Sequence, residues 1–508
     1  MQRFALNFFS PPVFLSCFLF FSSFPVFSSE TKLPQISGLY QFSLENIALS
    51  DSERLGLLGT NYLLEKNNGY VGLGVYGAVT GDRGGFFTGG LHIGKSFPLF
   101  SGYFLDGNAF VGGGGGGAAP QGGGLMLRAA LGAARQLGAH RLFLGMSRVS
   151  FPNGNINSNQ VSFAYDYRFQ SLHFSGWDFE QSKITWNKIF ASQRVYPQQV
   201  SMQVMNYYPG GSVKGRDLRL HQPVLGVLGI RVSQKMAKRL WGEFETAGAM
   251  RGGIDGFAQV LGGVSVKQSL NPILKLSGGW LLGAAGGGNV DTGGGVITRV
   301  YAGVEIAFHQ RWSTYLQLGY LTALDGAFAA NTANINLVYR FENIAFDRKE
   351  LVLTDNKKLK WRKLRIRPGV QRYTGYAGNA RKYQGQENLD VDLVNLKLDA
   401  FIGSGVFFTG QALGAFDGKA GGYAVGFLGP GFQFSRYVGA ELLVGVAGGG
   451  GLAVGNGKIV QPMINFEIPH NRKWSSEIST GYIKAVDGDL SAFVLNLGLV
   501  YRFAQPYY

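Results

Sequence analysis

Gly89–Ser96 reads "GGLHIGKS" and fits the spacing G-x4-G-K-[ST]. In a nucleotide-binding protein that spacing lets backbone N–H groups and a lysine grip phosphates, provided a strand precedes it and a helix follows. Here the following residues are "FPLFSGYFLDG", with Pro98 and then a glycine-punctuated strand pattern. The surroundings do not supply the helix, so the spacing is coincidental and no nucleotide is expected. The six histidines (His92, His140, His173, His221, His309, His470) show no metal-like pair spacing. His309 and His470 lie near expected hairpin ends as plain polar tips. Cys17 is the one cysteine, so neither a disulfide framework nor thiol chemistry is expected of the mature chain. These residues give no catalytic constellation, no metal and no cofactor, and the chain reads as a non-enzyme.

One charged cluster stands out. Lys357–Arg367 holds seven cations in eleven residues: Lys357, Lys358, Lys360, Arg362, Lys363, Arg365 and Arg367. Such a run could contact anionic lipid headgroups; as a solvated connector or a positive barrel lining it would be less specific.

The elements around these residues explain the sparse chemistry. Only 15% of the chain is charged, while Gly numbers 78 and Phe 39. Soluble domains average about 25% charged residues. Residues 1–29 carry Arg3, then an apolar stretch ending in small residues, and read as a secretory signal cleaved near Ser28 or Ser29. A lipobox at "FLSC" is weaker, since the strongest apolar run follows Cys17. Removing Arg3 leaves 46 cations against 31 anions, a charge of about +15. For an exported chain of that charge, outer-membrane lipids are better partners than nucleic acid.

The mature chain repeats. "WSTYLQLGYLTALDG" (Trp312–Gly326) and "WSSEISTGYIKAVDG" (Trp474–Gly488) share W-S, G-Y and D-G at an offset of 162, as do "NLVYRF" and "GLVYRF" ending at Phe341 and Phe503. An earlier copy, "AYDYRF", ends at Phe169, 172 residues before Phe341. Glycine runs repeat as well, at Gly112–Gly117, Gly286–Gly288 and Gly448–Gly451. The units are 30–169, 170–341 and 342–508. Each parses into about eight strands; in the third these fall near 361–369, 391–403, 405–415, 421–434, 436–448, 457–468, 472–486 and 490–503. The glycine runs then punctuate hairpins, where glycine permits positive φ and close approach.

Alternation is regular. Thr298, Val300, Ala302, Val304, Ile306 and Phe308 share one face, and Arg299, Tyr301, Gly303 and Glu305 the other. Strands of about 10–15 residues exceed the soluble norm of about 5–6 and suit a bilayer, which takes about 9–11 tilted residues. Trp312 with Tyr320, and Trp474 with Tyr482, are spaced as aromatics at two membrane interfaces. Spanning strands must close into a barrel, because hydrocarbon leaves an open edge unpaired. The fold class is therefore all-β, a transmembrane antiparallel β-barrel of about 24 strands. Two closures are compatible with it: one large barrel, the preferred reading because strand runs directly into connector, or three tandem eight-stranded barrels.

The last strand, "NLGLVYRF", resembles the signal read by the outer-membrane barrel assembly machinery, with Asn496, Gly498, Tyr501 and Phe503 at matching positions. "AQPYY" beyond Phe503 departs from it. The resemblance implies a Gram-negative outer-membrane β-barrel protein, inserted by that machinery into the bacterial cell outer membrane. The hairpin "MSRVSFPNGNINSNQVSFAYDYRF" is faintly similar to the closing hairpin of lipid A deacylases, but that family's His-x-Ser pair is missing where Ser147–Ser150 stand. A wide, basic-lined barrel implies a channel or exporter for small solutes, slightly favouring anionic ones. Filled small barrels imply a structural or lipid-binding module, and a lipid-modifying enzyme comes last.

Overall fold

A period-two chain must satisfy its backbone between strands, and three closures do so. The computed structural model describes residues 35–49, 53–172, 174–177, 193–346, 360–376, 380–382 and 389–507; the signal segment, Lys357 and Lys358 lie outside them. The first barrel comprises β1 (Gln35–Ala48), β2 (Arg54–Lys66), β3 (Gly69–Thr80), β4 (Phe87–Phe100), β5 (Tyr103–Gly115), β6 (Met126–Leu137), β7 (His140–Ser150) and β8 (Asn157–Leu172). A two-residue β9 (Phe174–Ser175) follows. The second comprises β10 (Gln193–Pro209), β11 (Leu225–Lys235), β12 (Leu240–Arg251), β13 (Ala258–Ser269), β14 (Leu274–Gly286), β15 (Val296–Ala307), β16 (Trp312–Ala323) and β17 (Ala329–Phe346). The third comprises β18 (Lys360–Thr374), β19 (Val391–Phe401), β20 (Val406–Asp417), β21 (Ala424–Gln433), β22 (Val438–Gly448), β23 (Lys458–Pro469), β24 (Trp474–Ala485) and β25 (Ser491–Tyr507).

Each set is an antiparallel meander whose first strand pairs with its own last: β1 with β8, β10 with β17, β18 with β25. That decides between the two closures. Three tandem eight-stranded barrels form, and the preferred single barrel is corrected, because each unit satisfies both of its edges internally. In the third barrel the strand positions agree with the alternation to within a few residues, except that β18, which passes through Pro368 as expected, runs on to Thr374. Proline has no N–H to donate, and the ladder to β25 skips Arg367 and Pro368 before resuming at Gly369 with Gly498.

With eight strands, each barrel begins and ends at the same end. The turns there have two or four residues, for example 67–68, 138–139 and 308–311, whereas the loops at the opposite end run from five (49–53) to sixteen (375–390). We call these the short-turn and long-loop ends. Outer-membrane barrels show this asymmetry, with short turns in the periplasm.

The alternating faces separate as the period requires. Arg299, Tyr301 and Glu305 are buried inside the second barrel, while Val300, Ile306, Leu316 and Leu318 are exposed on its outer wall, Leu318 at 70%. In β25, Val494, Asn496 and Val500 face inward, and Phe493, Leu495 and Leu497 outward. An apolar outer wall around a polar, filled interior inverts the arrangement of a soluble protein, and defines a transmembrane barrel. Leu497→Arg should therefore cost about 2–4 kcal/mol at mid-depth, while Val500→Thr, opposite Ser475 in the ladder, should be tolerated. Folding yields into liposomes measure both; equal losses would reject the assignment of faces.

The barrels meet through the glycine runs. A Cβ built on Gly85 would lie 2.2 Å from the backbone N of Gly287, on Gly256 3.0 Å from that of Gly449, and on Gly422 2.9 Å from that of Gly116. All three glycines have φ near +90°. The contacts join the first barrel to the second, the second to the third and the third to the first, each using the loop after one barrel's third strand and the loop after another's fifth. The contact is head-to-tail and closes after three steps, a pseudo-threefold ring within one chain. Gly84 N donates to Gly293 O at 3.0 Å, and Gly422 N to Gly114 O at 3.0 Å. Side chains add one link per seam: Arg216 to Asp82 O at 3.0 Å, Lys382 to Asp255 at 2.7 Å, and Asn153 to Asp417 at 3.5 Å. The hairpin reading of the glycines is thus incomplete: they also bring backbone against backbone between barrels.

Candidate functional site: the closed lumens

An eight-stranded barrel is just wide enough for side chains to fill it, and these three are filled chiefly by an apolar layer and a charged one, with smaller apolar clusters such as Leu39, Leu63 and Tyr70 in the first. At the long-loop end the layer is apolar. Phe86 from the loop before β4 meets Phe151 from the loop after β7 at 5.8 Å, edge to face, in the first barrel. Phe257 and Phe328 hold the corresponding place in the second at 6.4 Å; in the third Tyr423 stands where Phe86 and Phe257 do and packs against Tyr373 of β18 at 6.1 Å. All six are buried.

Beneath that layer the lumens are charged and paired. In the third barrel, Arg367 reaches Asp399 (2.8 Å), Glu441 (2.7 Å) and Glu477 (2.9 Å). Arg365 reaches Asp399 at 2.6 Å and also pairs with Glu467; Lys397 pairs with Glu441, and Arg502 with Glu467. Four cations thus meet four carboxylates. In the second, Glu245 accepts from Arg231 (2.7 Å), Arg299 (2.6 Å), Gln203 (2.9 Å) and Gln259 (2.8 Å). Glu243 accepts from Ser265 (2.7 Å) and Tyr301 (2.5 Å), and Glu305 pairs with Arg340 at 2.6 Å. In the first, Arg128 donates to Glu45 through Nε at 2.7 Å, and Arg141 bridges Asp166 (2.5 Å) and Asp106 (3.1 Å). Tyr70 and Ser96 complete Asp106 at 2.7 and 2.6 Å.

Pairing of this kind offsets the cost of taking ions out of water and fixes each side chain in place. These networks are what the sequence reading missed. The available signal was the charge at inward-facing positions, such as Arg299 and Glu305, in barrels small enough to fill.

The sequence-selected residues fall as follows. Arg365 and Arg367 face the lumen, fully buried among carboxylates, so of the two readings the barrel lining holds for them and contact with lipid headgroups does not. Lys363 is exposed near the short-turn end, its ammonium 5.9 Å from the Trp177 ring, and Arg362 lies over Phe341 at 4.6 Å. Lys360 opens β18. Asn496 is inside the third lumen, bonded to Asn395 and, at 3.4 Å, to Glu477. Gly498 faces Gly369 across the ladder, and the Tyr501 and Phe503 rings stack at 5.9 Å. Trp312 and Trp474 begin their strands at the short-turn end, with Tyr320 and Tyr482 eight residues nearer the loops; Trp312 packs on Tyr339 at 5.0 Å and Trp474 on Tyr501 at 4.6 Å. Gly89–Ser96 lies wholly within β4, with Lys95 outside and Ser96 inside. Ser147 points inward and accepts from Gln160 at 2.8 Å.

The sequence matches no protein-family model and no curated protein. Among solved structures, a de novo designed transmembrane β-barrel aligns with 28% of this chain and 94% of its own, at 10% identity and a TM-score of 0.20. The siderophore receptor PirA from Acinetobacter baumannii aligns over 94% and 81% at 9% identity and a TM-score of 0.28. Pseudomonas aeruginosa OccK2, solved with glucuronate, aligns over 93% and 97% at 10% identity and 0.21. The class of this chain rests on its own strands: a transmembrane β-barrel protein with three closed barrels.

Proposed function

We propose that this protein is a non-enzymatic structural module of the bacterial outer membrane, a raft of three filled barrels placed there by the barrel assembly machinery and solvated by outer-membrane lipids. The observation that carries this reading is the occupancy of each lumen by an apolar layer above a paired charge network. Such an interior gives rigidity without a passage. Conductance across a planar bilayer tests it. The purified protein should add no steps above the bare membrane at 100 mV.

A second reading is a gated channel or exporter for small solutes, with anions favoured. It is favoured by one feature: loop residues such as Phe86, Phe151, Phe257 and Phe328 supply the lid, while the strands below are polar. Large, stable conductance steps with anion preference would overturn the structural reading in favour of this one.

A further inference from the structure

The two ends of the barrels carry different charge. At the long-loop end exposed Asp82, Asp217, Asp325, Asp417, Asp487 and Asp489 are interspersed with cations. At the short-turn end the carboxylates whose side chains are described are buried in the lumens, except half-buried Glu65, which bonds Arg168 at 2.8 Å. Among the side chains described there, the exposed charges are cations, at least two per barrel: Lys95 and Arg135, Lys238 and Arg239, Arg436 and Arg472.

Large apolar side chains share that level. Phe100, Phe308 and Phe434 are 62–67% exposed in or beside the same turns. The Lys95 ammonium lies 5.2 Å from the Phe97 ring, the Arg135 guanidinium 5.2 Å from Tyr103 and that of Arg436 4.5 Å from Tyr437. Aromatic rings and cations at one height on a membrane barrel mark the headgroup region, where each cation is attracted to lipid phosphate.

We propose that this rim is a cationic collar that binds the headgroups of anionic glycerophospholipids in the leaflet facing the short turns. The collar is distinct from the Lys357–Arg367 run, and its charge complements a surface dense in phosphodiesters. Its turns are too short to fold over the cations, so the charges remain at the membrane surface. The inference rests on the transmembrane placement above.

The test uses the full mature protein reconstituted with spin-labelled phosphatidylglycerol or phosphatidylcholine. Wild type should hold the anionic lipid about fivefold more tightly at low salt, and lose most of that preference in 1 M salt. Neutralising the collar (Lys95→Gln, Arg135→Gln, Lys238→Gln, Arg239→Gln, Arg436→Gln, Arg472→Gln) should bring the ratio near one. Six equivalent changes at the long-loop end (Arg54→Gln, Arg148→Gln, Lys214→Gln, Arg219→Gln, Lys419→Gln, Lys484→Gln) should leave it unchanged. A wild-type ratio near one, or equal loss in both variants, overturns the collar. Flotation keeps the two readings apart: protein that floats with vesicles and resists carbonate extraction but shows no preference refutes the collar alone, whereas protein that stays in the aqueous phase refutes the membrane placement.

Discussion

Arg367→Met should lower the stability of the folded protein by about 3–5 kcal/mol, read as a fall in the urea midpoint of its heat-modifiable band on gels. The guanidinium is fully buried and pairs with Asp399, Glu441 and Glu477 at once. Removing it leaves three carboxylates in a closed interior with only Arg365 and Lys397 to balance them locally. Arg367→Lys keeps the charge but not the fork that reaches three partners, so its loss should be intermediate. Adding Asp399→Asn and Glu441→Gln to Arg367→Met removes the unmatched charge and should recover part of the deficit. A midpoint unmoved by Arg367→Met would mean that the network is hydrated and the lumen open.

The second large effect is expected at the seams. Gly113 and Gly448 lack positive φ, so their role is steric: a Cβ on Gly113 would lie 2.5 Å from Gly414 O, and one on Gly448 2.0 Å from Gly256 N. The opposing atoms are backbone and cannot swing aside. The third barrel contributes to both seams, so Gly113→Val with Gly448→Val should loosen it from both neighbours, at about 1–3 kcal/mol per site or more. With a protease site engineered between residues 347 and 359, the cut wild type should elute from a sizing column in detergent as one particle. The cut variant should release its third barrel. What would remain is mostly at the short-turn end: the bridge of Asn343 with Tyr507, the short pairing of β9 with β25, Trp177 against Leu364 O and Phe401, and Arg362 over Phe341. Beside the seams the Lys382–Asp255 and Asn153–Asp417 contacts stay. Co-elution of the variant would show that the seams are incidental.

Faces were legible in the sequence because alternation is a local property. The period puts Leu497 and Val500 on opposite walls whatever the closure. The number of barrels was not legible in the same way. Whether β1 pairs with β8 or with a strand of another unit changes no local pattern, since both closures use even numbers of antiparallel strands. Which of the open readings applies to Arg365 and Arg367 is not legible for a related reason. They belong to a cationic run in sequence, but their partners Asp399, Glu441, Glu467 and Glu477 come from four later strands, β19, β22, β23 and β24, and only the closed barrel brings them together. The glycine runs held a signal that was passed over: they contain more glycine than a hairpin needs, and the excess contacts another barrel.

Covalent fusion also changes what the ring can become. Three separate chains around an axis would come apart on dilution and would repeat every substitution three times over. Here the stoichiometry is written into one polypeptide, so the assembly is independent of concentration, and each seam can carry its own fastening, as the Lys382–Asp255 pair does at one junction alone. Because every third-strand loop already has its fifth-strand mate, no docking face of that kind is left over to recruit a fourth barrel, and growth through this contact closes within one molecule.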